Sequence, residues 1–193
     1  MSSNQETILD KPLGGLFLMI IMSTIWTLIG TVNIQGHDYY IITSILILFI
    51  LFYIYFYLQL NKQRKNLPKI QIEEDSKKEK LYWIIFVAEG VAILLAKNIL
   101  ANIHRDDLFI PTLALIVGLH FFPLAKVFKR RFDYYIGAWT TLVALTGIIL
   151  TIKQVLTTDL SNSIVSFACA FSTLSYGFRM ILEAKKLLKI NRQ

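Results

Sequence analysis

Glu89, His120, Tyr176 and Arg179 are ionisable side chains set within long apolar stretches of this chain. An unpaired charge at bilayer depth costs at least a few kcal/mol, so such residues mark functional sites in helical membrane proteins. By helical rise, Glu89 lies about 12 Å from the inner end of its helix, His120 about 8 Å and Arg179 roughly 6–8 Å. Ala92 and Ala96 share the face of Glu89, which predicts that its carboxylate points into a bundle. Ser172, Ser175 and Tyr176 share the face of Arg179. A carboxylate, an imidazole, a phenol and a guanidinium at one depth can offset one another's desolvation as a hydrogen-bonded cluster. That cluster could bind an anionic or polar solute, relay a proton, or gate a passage. The competing placements are simpler. Arg179 can snorkel to lipid phosphate or pair with Glu183 one turn on, and Glu89 can be protonated or held by a hydroxyl. His120 lies nearly opposite Gly118 and Ala114 on an ideal helix, so the imidazole and the small face cannot address the same neighbour.

Other chemistries find little support. His37 and His104 fall in outer loops without ligand spacing, and Cys169 is the lone cysteine, so neither a metal nor a disulfide is expected. Glycine-rich phosphate loops, GxSxG, HExxH, CxxC, paired intramembrane aspartates and a histidine pair suited to haem are absent, and a Gly-flanked rhomboid-like serine is missing. A cofactor is therefore not expected, and a membrane enzyme ranks last among the functional readings. Lys97 can snorkel to the outer surface. Asn98, Asn102, Arg105, Asp106 and Asp107 read as outer-loop or mouth residues, and Trp139, Thr140 and Thr141 as packing. Ser23, Thr24 and Thr27 can bond to carbonyls of their own helix.

These side chains must be held by apolar elements. The 193 residues are 55% hydrophobic, with a net charge of +7 and a mean hydropathy of +0.55. The apolar residues fall in blocks of about 20, the length that crosses ~30 Å of hydrocarbon. The pattern predicts an all-α polytopic membrane bundle, a single domain over 1–193, with six transmembrane helices as three antiparallel hairpins. The spans are placed at 12–33, 39–60, 81–102, 108–128, 134–153 and 162–184, with a polar linker at 61–80. Lys62, Arg64, Lys65, Lys69, Lys77, Lys78 and Lys80 crowd that linker. Lys126, Lys129, Arg130 and Arg131 flank the fourth connection, and Lys185, Lys186, Lys189 and Arg192 the tail. The opposite side carries only Arg105 and Lys153, so the positive-inside rule puts both termini in the cytoplasm. Tyr39, Tyr40, Tyr82, Trp83, Tyr134 and Tyr135 sit at span starts, at headgroup level. The first residues lack a basic region and a cleavage pattern, so no removable signal peptide is read. A bacterial inner (plasma) membrane is the expected location. The basic loops suit anionic headgroups rather than nucleic acid.

Small residues predict which helices pack closely. Ala88, Ala92 and Ala96 mark the third helix, Ala114 and Gly118 the fourth, Gly137, Ala144 and Thr151 the fifth, and Ser166, Ala170, Thr173 and Gly177 the sixth. The third to sixth helices are thus expected at the centre, and the aliphatic and aromatic second helix in lipid. Pro111 suits a first helical turn, whereas Pro123 should free the Leu119 carbonyl. The six spans and the size are similar to the solute-binding subunits of some vitamin importers, an analogy of fold alone; the first helix lacks the alanines of their coupling motif. A small solute-binding, transport or channel-like protein is favoured, one whose modest cavity a homo-oligomer could enlarge. The alternative is an accessory or scaffolding subunit whose basic loops meet lipid or a partner protein.

Overall fold

In a bilayer, backbone N–H and C=O groups must bond within the chain, and long apolar segments satisfy this as helices. The computed structural model describes residues 5–34, 39–71 and 76–190 and is built of such helices. They are α1 (Asp10–Asn33), α2 (Tyr39–Arg64), α3 (Ser76–Asn102), α4 (Phe109–Phe128), α5 (Arg131–Ile152) and α6 (Thr158–Ile190). A 3-10 turn, Asp106–Leu108, leads into α4, and two-residue strands β1 (Gln5–Glu6) and β2 (Ile70–Gln71) pair antiparallel. All six α-helices are long and apolar enough to cross a membrane. The structure therefore supports a multi-pass membrane protein.

Several helices outrun their apolar blocks. α2 continues to Arg64, α3 starts at Ser76, α5 at Arg131, and α6 runs 33 residues. Hydropathy marks where hydrocarbon ends, but helical hydrogen bonding continues through the charged headgroup residues. At 1.5 Å per residue α6 is about 50 Å long, well beyond the ~30 Å core. The 61–80 connector is consequently helical up to Arg64 and again from Ser76. Its start is also tied down: the Arg64 guanidinium pairs with the Asp10 carboxylate, and the Thr7 N–H donates to Asp10 Oδ2 at 2.5 Å.

α6 lies at the centre. Its most extensive partner is α1, and it also packs on α5, α2 and α4. This corrects the expected arrangement in one respect: α1, not α3, completes the core. Leu16, Met19, Ser23, Trp26, Thr27 and Gly30 form the buried stripe of α1, at the 3–4 residue spacing of one face. The Met180 sulfur lies over Gly15 and the Phe167 ring over Gly30, at positions where a Cβ would meet them at 2.9 and 2.8 Å. The hydroxyls in the stripe are satisfied locally: Ser23 and Thr24 donate to the Ile20 carbonyl at 3.1 and 2.8 Å, and Thr27 to Ser23 at 2.7 Å. α3 packs chiefly on α4, and Leu100 is the one buried residue it contributes among those described. Its alanine stripe fails as a core face because Ala88 is exposed and Ala92 and Ala96 are only half-buried.

α2 is peripheral, touching the bundle along Leu46, Ile50, Tyr53 and Leu60. The Tyr53 hydroxyl donates to the Leu174 carbonyl at 2.5 Å, its ring seated where Gly177 has no side chain. α4 and α5 approach most closely at Gly118, whose Cα faces the Thr141 backbone, and α4 runs unbroken through Pro123. Tight links follow α3, α4 and α5. His104, Lys129 and Gln154 adopt left-handed φ values of 55°, 55° and 51°. The next N–H in each case reaches back five residues, Arg105 to Leu100, Arg130 to Ala125 and Val155 to Leu150, the Schellman pattern that ends a helix.

A methyl group at Gly118 would lie 2.7 Å from the Thr141 nitrogen, whereas at Gly90 on α3 nothing lies within 4 Å. Gly118→Ala is expected to destabilise the protein by about 1–3 kcal/mol, the usual cost of overpacking. Gly90→Ala should be neutral or slightly stabilising. Thermal unfolding in detergent of both variants checks the α4–α5 contact; equal melting of Gly118→Ala and the parent chain would contradict it.

Candidate functional site

Two polar groups occupy the end of the bundle where α4 hands over to α5. The first is set by the turn itself. Lys129, in the left-handed conformation, ends α4 and leaves Arg130 immediately before α5; the Asp133 N–H then bonds to the Arg130 carbonyl at 3.2 Å. Asp133 is 2% exposed. On α6, Tyr176 and Arg179 stand three residues apart and so share a face toward it. The Tyr176 hydroxyl donates to Asp133 Oδ1 at 2.9 Å and accepts from Arg130 Nη1 at 3.0 Å. Arg179 Nη1 lies 4.0 Å from the same carboxylate oxygen, is buried, and makes no hydrogen bond. Each guanidinium lies over an aromatic ring, Arg130 on Phe128 at 4.7 Å and Arg179 on Phe132 at 4.9 Å. Such cation–π contacts orient the planar groups while their outer edges remain half-exposed.

The second group bridges α3 and α4. Glu89 Oε1 is 3.2 Å from His120 Nδ1, with side chains 14% and 17% exposed. The contact is close but out of line for a hydrogen bond, since His120 Nδ1 has no hydrogen-bond partner. The geometry also separates the two faces of α4. Gly118 meets α5, and His120, on the other side, meets α3. Phe121 stands between the two groups, its ring 4.4 Å from the His120 ring and 6.1 Å from that of Tyr176.

The four residues singled out from sequence thus occupy one end of the bundle but divide into Glu89–His120 and Tyr176–Arg179. Arg179 pairs with Asp133 on α5 rather than with Glu183. Glu89 faces α4, not the α6 centre. Asp133 and Arg130 were not expected in the site. With the fifth span placed from 134, both read as loop residues. The available signal was the heptad Asp133, Thr140, Gly147, one buried stripe of α5. Along that stripe Thr140 bonds to Ser172 at 3.1 Å. Ser161 accepts from Thr151 at 3.0 Å and donates to the Gly147 carbonyl at 3.2 Å.

Elsewhere, Asn98 bonds to the Leu94 carbonyl at 2.8 Å, and Arg105 forks onto Asp107 with both contacts at 2.9 Å. That bonding raises the Arg105 guanidinium above its ordinary value. Trp139 donates to the Ala168 carbonyl at 3.2 Å, and Cys169 is fully buried. His37 lies outside the described residues. Among the described residues no group of three or more His, Cys, Asp or Glu side chains converges as metal ligands.

No protein-family model matches the chain, and neither a curated protein nor a solved structure does. Asp133→Ala leaves the Arg179 guanidinium without its carboxylate and the Tyr176 hydroxyl without its acceptor, and is expected to cost about 3 kcal/mol, as for a broken buried ion pair. Tyr176→Phe removes one bridging hydroxyl and should cost about 1–2 kcal/mol. Thermal unfolding in detergent measures both; an order reversed between them would show that Asp133 does not organise the group.

Proposed function

We propose that the protein binds and moves a small polar solute across a membrane, with the Glu89–His120 pair as the group that meets solute or proton. The observation that carries this reading is the 3.2 Å approach of Glu89 to His120 at the interface of α3 and α4. A carboxylate and an imidazole held at membrane depth without an in-line bond to each other have free capacity for a third partner. The second group, on α5 and α6, lies one ring away through Phe121. In this reading the helices form three antiparallel hairpins with both termini cytoplasmic, in a bacterial inner membrane. The Lys- and Arg-rich connections then rest on anionic headgroups. Pairing of β1 with β2 puts the chain start beside the connector after α2, as an even number of crossings requires.

A second reading is favoured by α3, of whose apolar span only 6% is buried. In an accessory or scaffolding subunit, or in a homo-oligomer, that helix would meet a partner, and the polar groups would serve to fix helix register.

The two readings separate on Glu89→Gln. A panel of water-soluble anions, amino acids and sugars is screened by thermal shift on purified protein. Under the transport reading at least one solute raises the melting temperature of the parent chain and none raises that of Glu89→Gln. No shift in either protein removes the support for solute binding. Orientation is read independently: because Cys169 is buried, a cysteine placed at Lys65 is expected to react with impermeant maleimide only from the cytoplasmic side. Labelling from outside intact cells overturns the topology.

A further inference from the structure

We infer that Arg130 and Arg179 form a clamp for the phosphodiester of a membrane phospholipid. This goes beyond solute transport, since a lipid phosphate held here would be present whether or not the protein moves anything. Charge comes first. Arg179 lies beside the Asp133 carboxylate and Arg130 reaches it through the Tyr176 hydroxyl, so two positive charges meet one negative and one positive charge is left for a ligand to neutralise. A phosphodiester carries one negative charge at neutral pH.

Donor geometry comes next. Asp133 Oδ1 already accepts from the Tyr176 hydroxyl at 2.9 Å, and Arg179 Nη1 stops 4.0 Å away, buried and without a hydrogen bond. A guanidinium donor withheld from both water and acceptor is costly unless something supplies an oxygen. Planar guanidinium forks match phosphate oxygens bidentately. Here Phe128 and Phe132 hold the two forks over their rings before any ligand arrives. The Asp133 carboxylate stands beside Arg179. It repels an anion on its own, but it fixes Tyr176 and Arg179 in place and limits the site to a single negative charge.

Position selects the source. Arg130 immediately precedes α5 and Asp133 is in its first turn, while Arg179 stands about three turns before the end of α6. Tyr134 and Tyr135 are exposed beside them, 44% and 71%, as rings at headgroup level are. Exposed Lys126, Lys129 and Arg131 complete a basic collar that raises the local concentration of anionic lipid. A headgroup phosphate arrives at this depth from the bilayer, whereas a free phosphate must leave bulk water to reach it.

The test uses the full chain, purified and delipidated in a neutral detergent, with phosphatidylglycerol, diacylglycerol of the same acyl chains, and inorganic phosphate added separately. Phosphatidylglycerol is expected to raise the melting temperature by about 5 °C at saturating lipid, with diacylglycerol giving no shift. Arg179→Gln should lose most of that shift and Lys153→Gln, at the opposite end of α5, should keep it. If Arg179→Gln does not fold, Arg179→Lys retains the charge but not the fork and should retain less than half of the shift. Equal shifts in the parent chain and the Arg179 variants, or an equal shift from diacylglycerol, overturn the clamp. A shift from inorganic phosphate alone overturns the lipid as its source. Neither result bears on the Glu89 solute screen, which uses water-soluble ligands and a different residue.

Discussion

The structure depends on keeping the polar side chains of α6 away from lipid. Asn162, Ser161, Ser163, Ser166, Ser172, Thr173 and Tyr176 are all buried on this one helix. In hydrocarbon each hydroxyl or amide must find an acceptor within the protein. Some do so on their own helix, Ser166 to the Asn162 carbonyl at 2.7 Å and Thr173 to Ala170 at 2.8 Å. Others need a neighbour, and α5 supplies Thr140, the Gly147 carbonyl and Asp133 at the required heights. A helix so polar is stable in a membrane only when wrapped, which is why α6 takes the central place and 61% of its apolar window is buried. The other helices are then arranged by what they can offer it. α1 offers glycines and self-satisfied hydroxyls, α5 offers partners, and α2 offers a single tyrosine to the Leu174 carbonyl.

α4 illustrates how one helix serves two neighbours of different kinds. Its small face, Ala114 and Gly118, presses on α5 at backbone distance. Its other face carries His120 toward Glu89 on α3. Backbone contact gains dispersion energy over many atoms and leaves no room for adjustment. The α3 contact is looser and polar, and it joins the least buried helix to the rest.

Helix number and the location of the apolar segments were legible in sequence because both follow from hydropathy and length alone. The rank of the helices was not. Ala88, Ala92 and Ala96 have the spacing of a core face, yet a small-residue stripe states only that close approach is allowed; it does not say which partner accepts it. The polar residues of α6 were the better guide, since they make lipid exposure expensive, whereas alanine is indifferent. Glu89, His120, Tyr176 and Arg179 were visible as charges and polar groups inside apolar blocks. Asp133 was hidden by the opposite logic. It follows KRRF, so it reads as part of a charged turn, and only the continuation of α5 back to Arg131 makes it a buried helical residue.

The two polar groups differ in what holds them, and this bears on what each can do. Asp133, Tyr176, Arg130 and Arg179 belong to α5, α6 and the turn before α5, helices held by extensive packing on further neighbours, α5 on α4 and α6 on α1, and two aromatic rings fix the guanidiniums. A site so supported suits a ligand that stays. Glu89 and His120 belong to an interface in which one helix has almost no other attachment. Segments with few buried contacts are the ones that open at low free-energy cost. A change in the Glu89–His120 contact would therefore act on the less firmly held part of the bundle and leave the Asp133 group at α5 and α6 in place. Phe121, touching both His120 and Tyr176, is the physical link by which a shift of α3 on α4 would reach the fixed group.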